Sequence, residues 1–173
     1  AGKGHLDTLK YLHEQYNFLP NDEGFLWAAE SDHVHVIQWL EQMEVRLDDV
    51  TIDVAMGYAC ERSAYNILRY FIQKGYKLED SDLMQLIMDD TSPNFTDSAE
   101  FINAVENKLI PGQILFIVRD LPNRTKKILN LFHNNGYTFD WNVYANDMME
   151  MGFNANQMNC VRNWFISKAL QVE

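Results

Sequence analysis

An internal repeat constrains this chain more than any single motif. Five segments, 5–12, 33–40, 64–71, 125–132 and 157–164, share a polar start, an aliphatic pair and a bulky apolar residue three positions later, and 98–105 is a weaker sixth. With Leu9, Ile37, Leu68, Ile102, Leu129 and Val161 aligned, the steps are 28, 31, 34, 27 and 32 residues. A unit of that length is one supersecondary element that cannot bury its own apolar face, so neighbouring units must stack to close a core. Within each segment the apolar residues recur at i, i+3 and i+6, as in Leu6, Leu9 and Leu12 or Val34, Ile37 and Leu40. That spacing draws one stripe along a helix and would scatter over both faces of a strand.

Shorter apolar stretches at 24–31, 51–60, 81–90, 112–120 and 142–151 lie between these segments and also read as helices. The chain is therefore all-α, with helix A, a tight turn, helix B and a connector repeated. The units run 21–43, 51–75, 81–108, 111–136 and 142–168, preceded by a lone helix B at 5–15. They form one array over 1–173.

Punctuation supports the division. Asn21 and Asp22, Thr51, Ser81 and Asp82, and Asp140 precede the A helices, where side-chain oxygens can accept from open backbone N–H groups. Pro111 suits a first helical turn, having no N–H to leave unpaired. Gly75 and Gly136 follow B helices and offer the left-handed conformation that stops a helix. The connectors 73–78 and 134–139 echo each other, with Gly-Tyr followed by Lys-Leu in one and Thr-Phe in the other. The polar stretch 89–97 reads as an enlarged A-to-B turn, or else as a boundary between two short arrays.

The run Trp27-Ala28-Ala29-Glu30-Ser31-Asp32-His33-Val34-His35-Val36-Ile37, echoed by Ala1-Gly2-Lys3-Gly4-His5-Leu6-Asp7-Thr8-Leu9, resembles the ankyrin repeat family. That family spells the helix turn as Ala-Ala, two variable residues, Gly-His-Leu, an acidic residue and an aliphatic pair. Its period of about 33 is close to the steps here, whereas a HEAT-type solenoid, the alternative, repeats at about 40 to 47. Later units depart from the spelling, with Ser63-Ala64 and Asn156-Gln157 in place of Gly-His. The resemblance implies an ankyrin-like solenoid of about five repeats after a partial one. It implies that the Ala pair lets the two helices approach and that His5 and His33 bond backbone across the turn. It also implies a concave face that grips a partner protein. The contact candidates are Tyr76, Leu78, Glu79, Tyr137 and Phe139 in projecting connectors, with Glu30, Ser31, Glu61 and Arg62 at the A-to-B turns.

Charge narrows the partner. Fourteen Lys and Arg against 25 Asp and Glu give a formal net charge of −11. Such a surface repels phosphate backbones and anionic lipid heads and favours a partner with a basic surface. Neither nucleic acid nor membrane is expected, and no stretch approaches the roughly 18 apolar residues of a span. Cys60 and Cys160 form no CxxC pair and have no His at metal spacing, which points to a reducing, intracellular setting (cytoplasmic or nuclear) without disulfide or zinc. Asn94-Phe95-Thr96 and Asn123-Arg124-Thr125 match the glycosylation triplet, a pattern too short to mean much.

No phosphate loop, GxSxG or HExxH stands in the sequence, so no catalytic residue, metal or cofactor is assigned. His33 and His35 sit two apart and point to different sides of a helix, with His35 facing solvent. The expected function is a protein-binding scaffold; the alternative is a spacer that positions another domain of a longer protein. Because 1–5 enters the repeat at its inter-helix turn, the chain is expected to be cut from a longer array, with Leu6, Leu9, Tyr11 and Leu12 partly exposed.

Overall fold

The computed structural model describes residues 1–45, 47–91 and 95–169, apart from the side chains of Trp141, Asn142 and Ala169. Ten α-helices occur among the described residues, and no strand. The chain divides into two compact units, 1–78 and 79–173.

The first unit holds α1 (Leu6–Tyr16), α2 (Asp22–Glu30), α3 (Val34–Gln42), α4 (Asp49–Glu61) and α5 (Tyr65–Gln73). Here α2 and α4 are A helices; α1, α3 and α5 are B helices. α2 packs on α3 and α4 on α5, while α2 also lies against α4 and α3 against α5. Like helices thus stack on like, and the stripe residues Ile37, Leu40, Ile67, Leu68 and Phe71 are buried where they meet. Ala28 and Ala29 have no exposed surface, as close helix approach requires. Of the four residues expected to be partly exposed on α1, Tyr11 is exposed, Leu6 and Leu12 are half-buried and Leu9 is buried.

The second unit holds α6 (Asp80–Asp89), α7 (Pro111–Asp120), α8 (Thr125–Asn134), α9 (Trp141–Glu150) and α10 (Ala155–Ala169). α7 packs on α6, α8 and α9, and α10 on α8 and α9. A helices are α6, α7 and α9; B helices are α8 and α10.

One expected helix is missing. The segment 98–108 forms only a 3-10 turn, Ala99–Phe101, closed by short-range bonds such as Phe101 N–H to the Ser98 carbonyl (3.1 Å) and Ala104 N–H to Phe101 (2.9 Å). The repeat expected over 81–108 therefore has an A helix without a B helix. Its helical pattern is short, and Asn103 and Asn107 favour turns, so propagation does not offset the cost of nucleation. Tight turns bury Phe101, Ile102, Ala104, Val105 and Leu109 instead. The segment is fastened at its start by the buried Asp90 carboxylate, which accepts from the Ser98 N–H (2.9 Å) and hydroxyl (2.7 Å). Arg124 donates to the Asp90 carbonyl and stacks over Phe95 at 3.6 Å. Residues 92–94, within the stretch read as a turn or boundary, and the triplet's Asn94 lie outside the described residues.

Caps follow chemistry more closely than position. Asn21 accepts from Gly24 N–H at 3.1 Å, as expected, but α4 starts two residues before Thr51, capped by Asp48, which accepts from Thr51 N–H at 2.8 Å. Pro111 opens α7. Cys60 and Cys160 are both free thiols. Among the described residues no helix is long and apolar enough to cross a membrane.

Candidate protein-binding face

Helix ends decide which connector residues face outward. Gly75 (φ 99°) and Gly136 (φ 82°) take the left-handed conformation. The next N–H then bonds five residues back, Tyr76 to the Phe71 carbonyl (3.2 Å) and Tyr137 to that of Phe132 (3.1 Å). This motif folds the residue after the glycine onto the helix it has just left. Tyr76 accordingly stacks edge-on against Phe71 at 5.8 Å, and Tyr137 against Phe132 at 5.1 Å. Tyr137 is only 7% exposed and Leu78 1%, and burial pushes the Tyr137 phenol pKa up. These two residues are core, which corrects the expectation that they project as contacts. Tyr76 and Phe139 are half-buried, the latter against Trp164 at 5.9 Å; Glu79 alone of the connector candidates is exposed.

The turn candidates stay outside. Arg62 pairs with Glu30 across adjacent A helices (2.9 Å), and Ser31 and Glu61 are exposed. The A-to-B turn itself is held by backbone. Asp32 and Ser63 adopt left-handed φ of 58° and 52°, with His33 N–H bonding the Ala28 carbonyl (2.9 Å) and Ala64 N–H that of Ala59 (2.8 Å). Thus the His33 backbone makes the cross-turn bond, while neither the His5 nor the His33 side chain bonds its helix end. His35 is exposed and donates to the Gly4 carbonyl at 2.9 Å. Among the described residues no three His, Cys, Asp or Glu side chains gather as a metal ion would require.

Polar side chains also tie successive pairs together. Asp32 accepts from Ile67 N–H (3.0 Å) and the Asn66 amide (2.7 Å), capping α5, whose own N-cap Ala64 has no oxygen to offer. Tyr70 and Lys74 both donate to Glu41, and Lys74 lies 4.6 Å above the Tyr70 ring. In the second unit Gln157 donates to the Arg119 carbonyl (2.9 Å) and Trp164 Nε1 to Asn130 (2.8 Å). These inter-pair bonds span 29 to 38 residues, about one repeat.

What remains outside is divided unevenly. Among the described residues from α2 onward, the exposed large apolar residues Trp27, Val50, Val54, Tyr58, Phe116, Val143 and Met149 lie on A helices and Ile166 alone on a B helix, with Ile110 in the connector before α7. The A helices α2, α4, α6, α7 and α9 carry twelve carboxylates and one cation, Arg119; the B helices α3, α5, α8 and α10 carry one carboxylate, Glu41, and five Lys or Arg. Every A helix also ends on a carboxylate: Glu30, Glu61, Asp89, Asp120 and Glu150. The spacing of those five is legible in the sequence, which drew attention only to the first two. The chain matches no family model, no curated protein and no solved structure.

Proposed function

We propose that this chain is a protein-interaction scaffold, an ankyrin-like stack of helix pairs that holds a partner protein by the outer faces of its A helices. The observation that carries the reading is the segregation, from α2 onward, of exposed apolar and acidic side chains onto those helices. Exposed apolar side chains set among carboxylates have the make-up of a binding surface. The repeat-length hydrogen bonds within each compact unit support the ankyrin-like arrangement, because successive helix pairs there are tied to each other. Two free thiols fit the intracellular setting read from the sequence. The test is selection of displayed peptides on the 173-residue chain, each clone then being measured on a Val54→Asp, Tyr58→Asp variant. Clones are expected to lose binding to that variant. Clones that bind both proteins alike would overturn the reading.

A further inference from the structure

We propose that the partner segment is a basic amphipathic α-helix laid along α4 with its backbone close over Gly57. The inference rests on the scaffold reading above and adds the chemistry and seat of the ligand.

Three observations converge on α4. Val50, Val54, Gly57, Tyr58 and Glu61 stand at i, i+4, i+7, i+8 and i+11, which is one face of a helix. On it Val50 is 69% exposed, Val54 42% and Tyr58 41%. Trp27, 31 residues before Tyr58 and 53% exposed, takes the equivalent place on α2, and the Glu30 to Arg62 bridge holds the two helix ends side by side. The apolar strip thus extends over two adjacent helices of one unit.

The second observation is Gly57 itself. Glycine is the poorest helix former apart from proline, and it is kept where a turn or a neighbour demands it. Neither applies here: Gly57 has no left-handed φ, and a Cβ added to it would meet nothing within 4 Å. Its use is then on the outside, where the missing side chain lets another backbone approach the strip. The third is charge. Asp22, Glu23, Glu30, Asp49, Asp53 and Glu61 belong to α2 and α4, and the Arg62 cation that follows α4 is engaged by Glu30. A ligand that fits must bring apolar side chains for the strip and cations for its margins, an arrangement that one amphipathic helix supplies. An acidic segment with the same apolar face would meet like charge all round.

Two synthetic 18-residue helical peptides with the same Leu and Trp stripe, one flanked by Lys and one by Glu, test this by calorimetry and by amide shifts of the full 173-residue chain. The Lys peptide is expected to shift α4 amides, to bind at least tenfold tighter than the Glu peptide and to weaken at least tenfold between 50 and 500 mM salt. Gly57→Ala should weaken it at least fivefold, as should Asp53→Asn with Glu61→Gln, while Lys126→Gln with Lys127→Gln leaves it unchanged. All these sites are exposed or half-buried, and unaltered circular dichroism certifies each variant. Equal binding of both peptides, shifts elsewhere than α4, or full affinity in Gly57→Ala would overturn the proposal. Displayed peptides that need Val54 and Tyr58 but carry no positive charge would leave the scaffold standing and remove this ligand. A selection yielding no peptide would remove both.

Discussion

From α2 onward, A helices and B helices bury the same kind of side chain and differ in what they leave outside. Ile52, Ala55, Met56 and Ala59 fill the inner side of α4 much as Ile67, Leu68 and Phe71 fill that of α5. Beyond the core, α4 shows Val50, Val54 and Tyr58 among carboxylates, whereas α5 and its end show Asn66, Gln73 and Lys74. Packing requires one apolar stripe per helix and is indifferent to the opposite side. Helix electrostatics account for some of the acid: Asp22, Glu23 and Asp49 lie in first turns, where the helix dipole favours negative charge. Glu30, Glu61, Asp89, Asp120 and Glu150 lie at the other end, where it opposes them. Those positions gain nothing from the helix dipole, and on the proposed function the difference between the layers reflects what the A helices meet.

The contrast breaks most readily at its core. Ile37→Ala and Leu68→Ala, at sites with no exposed surface, are each expected to cost about 2–5 kcal/mol in a urea or thermal melt, and Leu9→Ala the lower part of that range. Val54→Ala, on the outer face of α4, should stay within about 0.5 kcal/mol. If Val54→Ala costs as much as Leu68→Ala, the outer face of α4 is part of the core and the division between layers fails.

Tyr137→Ala comes next, at about 2–3 kcal/mol, below a fully buried aromatic because its rim reaches solvent. A melt unchanged from wild type would return Tyr137 to the surface. Much of the fold was readable: stripe, period and stop signals came from residues that act locally, so α2 to α5 and α7 to α10 lie where their apolar spacing put them. What was not read depends on consequences one step further out. Gly75 and Gly136 were recognised as helix stops, yet the same motif draws the following residue back onto the helix, and that turns Tyr137 from a projecting contact into core. Segment 98–108 has a helical spelling, but Asp90 fastens it as tight turns from eight residues away, and a stripe of apolar residues carries no trace of that bond. The candidate face is half visible in the sequence, where Glu30 and Glu61 stand at turns. Whether Val54 or Leu68 faces out cannot be told from either residue alone.

A smaller effect separates the B layer by pH. Burial of the Tyr70 phenol, then its bond to Glu41, raises its pKa; burial opposes the Lys74 ammonium, but Glu41 and Tyr70 outweigh it and raise that pKa too. Both groups hold their protons more tightly when folded. Their contribution is therefore complete below the ordinary values near 10 and is lost as pH rises through the raised ones. Wild type should exceed Glu41→Gln in stability at pH 8, and the gap should close above about pH 10. A gap that persists at high pH would mean that Glu41 acts by packing alone. The start of α4 should show acid-side dependence instead: the bond to Thr51 lowers the Asp48 pKa, so its contribution is present above the usual carboxylate range and fades as pH falls through the depressed value.

The smallest expected change carries the opposite sign. Gly57→Ala places a methyl group where nothing lies within 4 Å, in the middle of a 13-residue helix. Alanine loses less backbone freedom on folding than glycine and should stabilise the chain by about 0.5–1 kcal/mol. For a chain of this length that is a rise of about 1–4 °C in melting temperature. An equivalent gain is not available at Gly75 or Gly136, whose left-handed φ would strain any alanine, so those two substitutions should lower the melting temperature. A fall in melting temperature for Gly57→Ala would show that the fold itself requires glycine there. A rise would show that the fold does not require glycine there, as the proposed close approach of a ligand backbone expects.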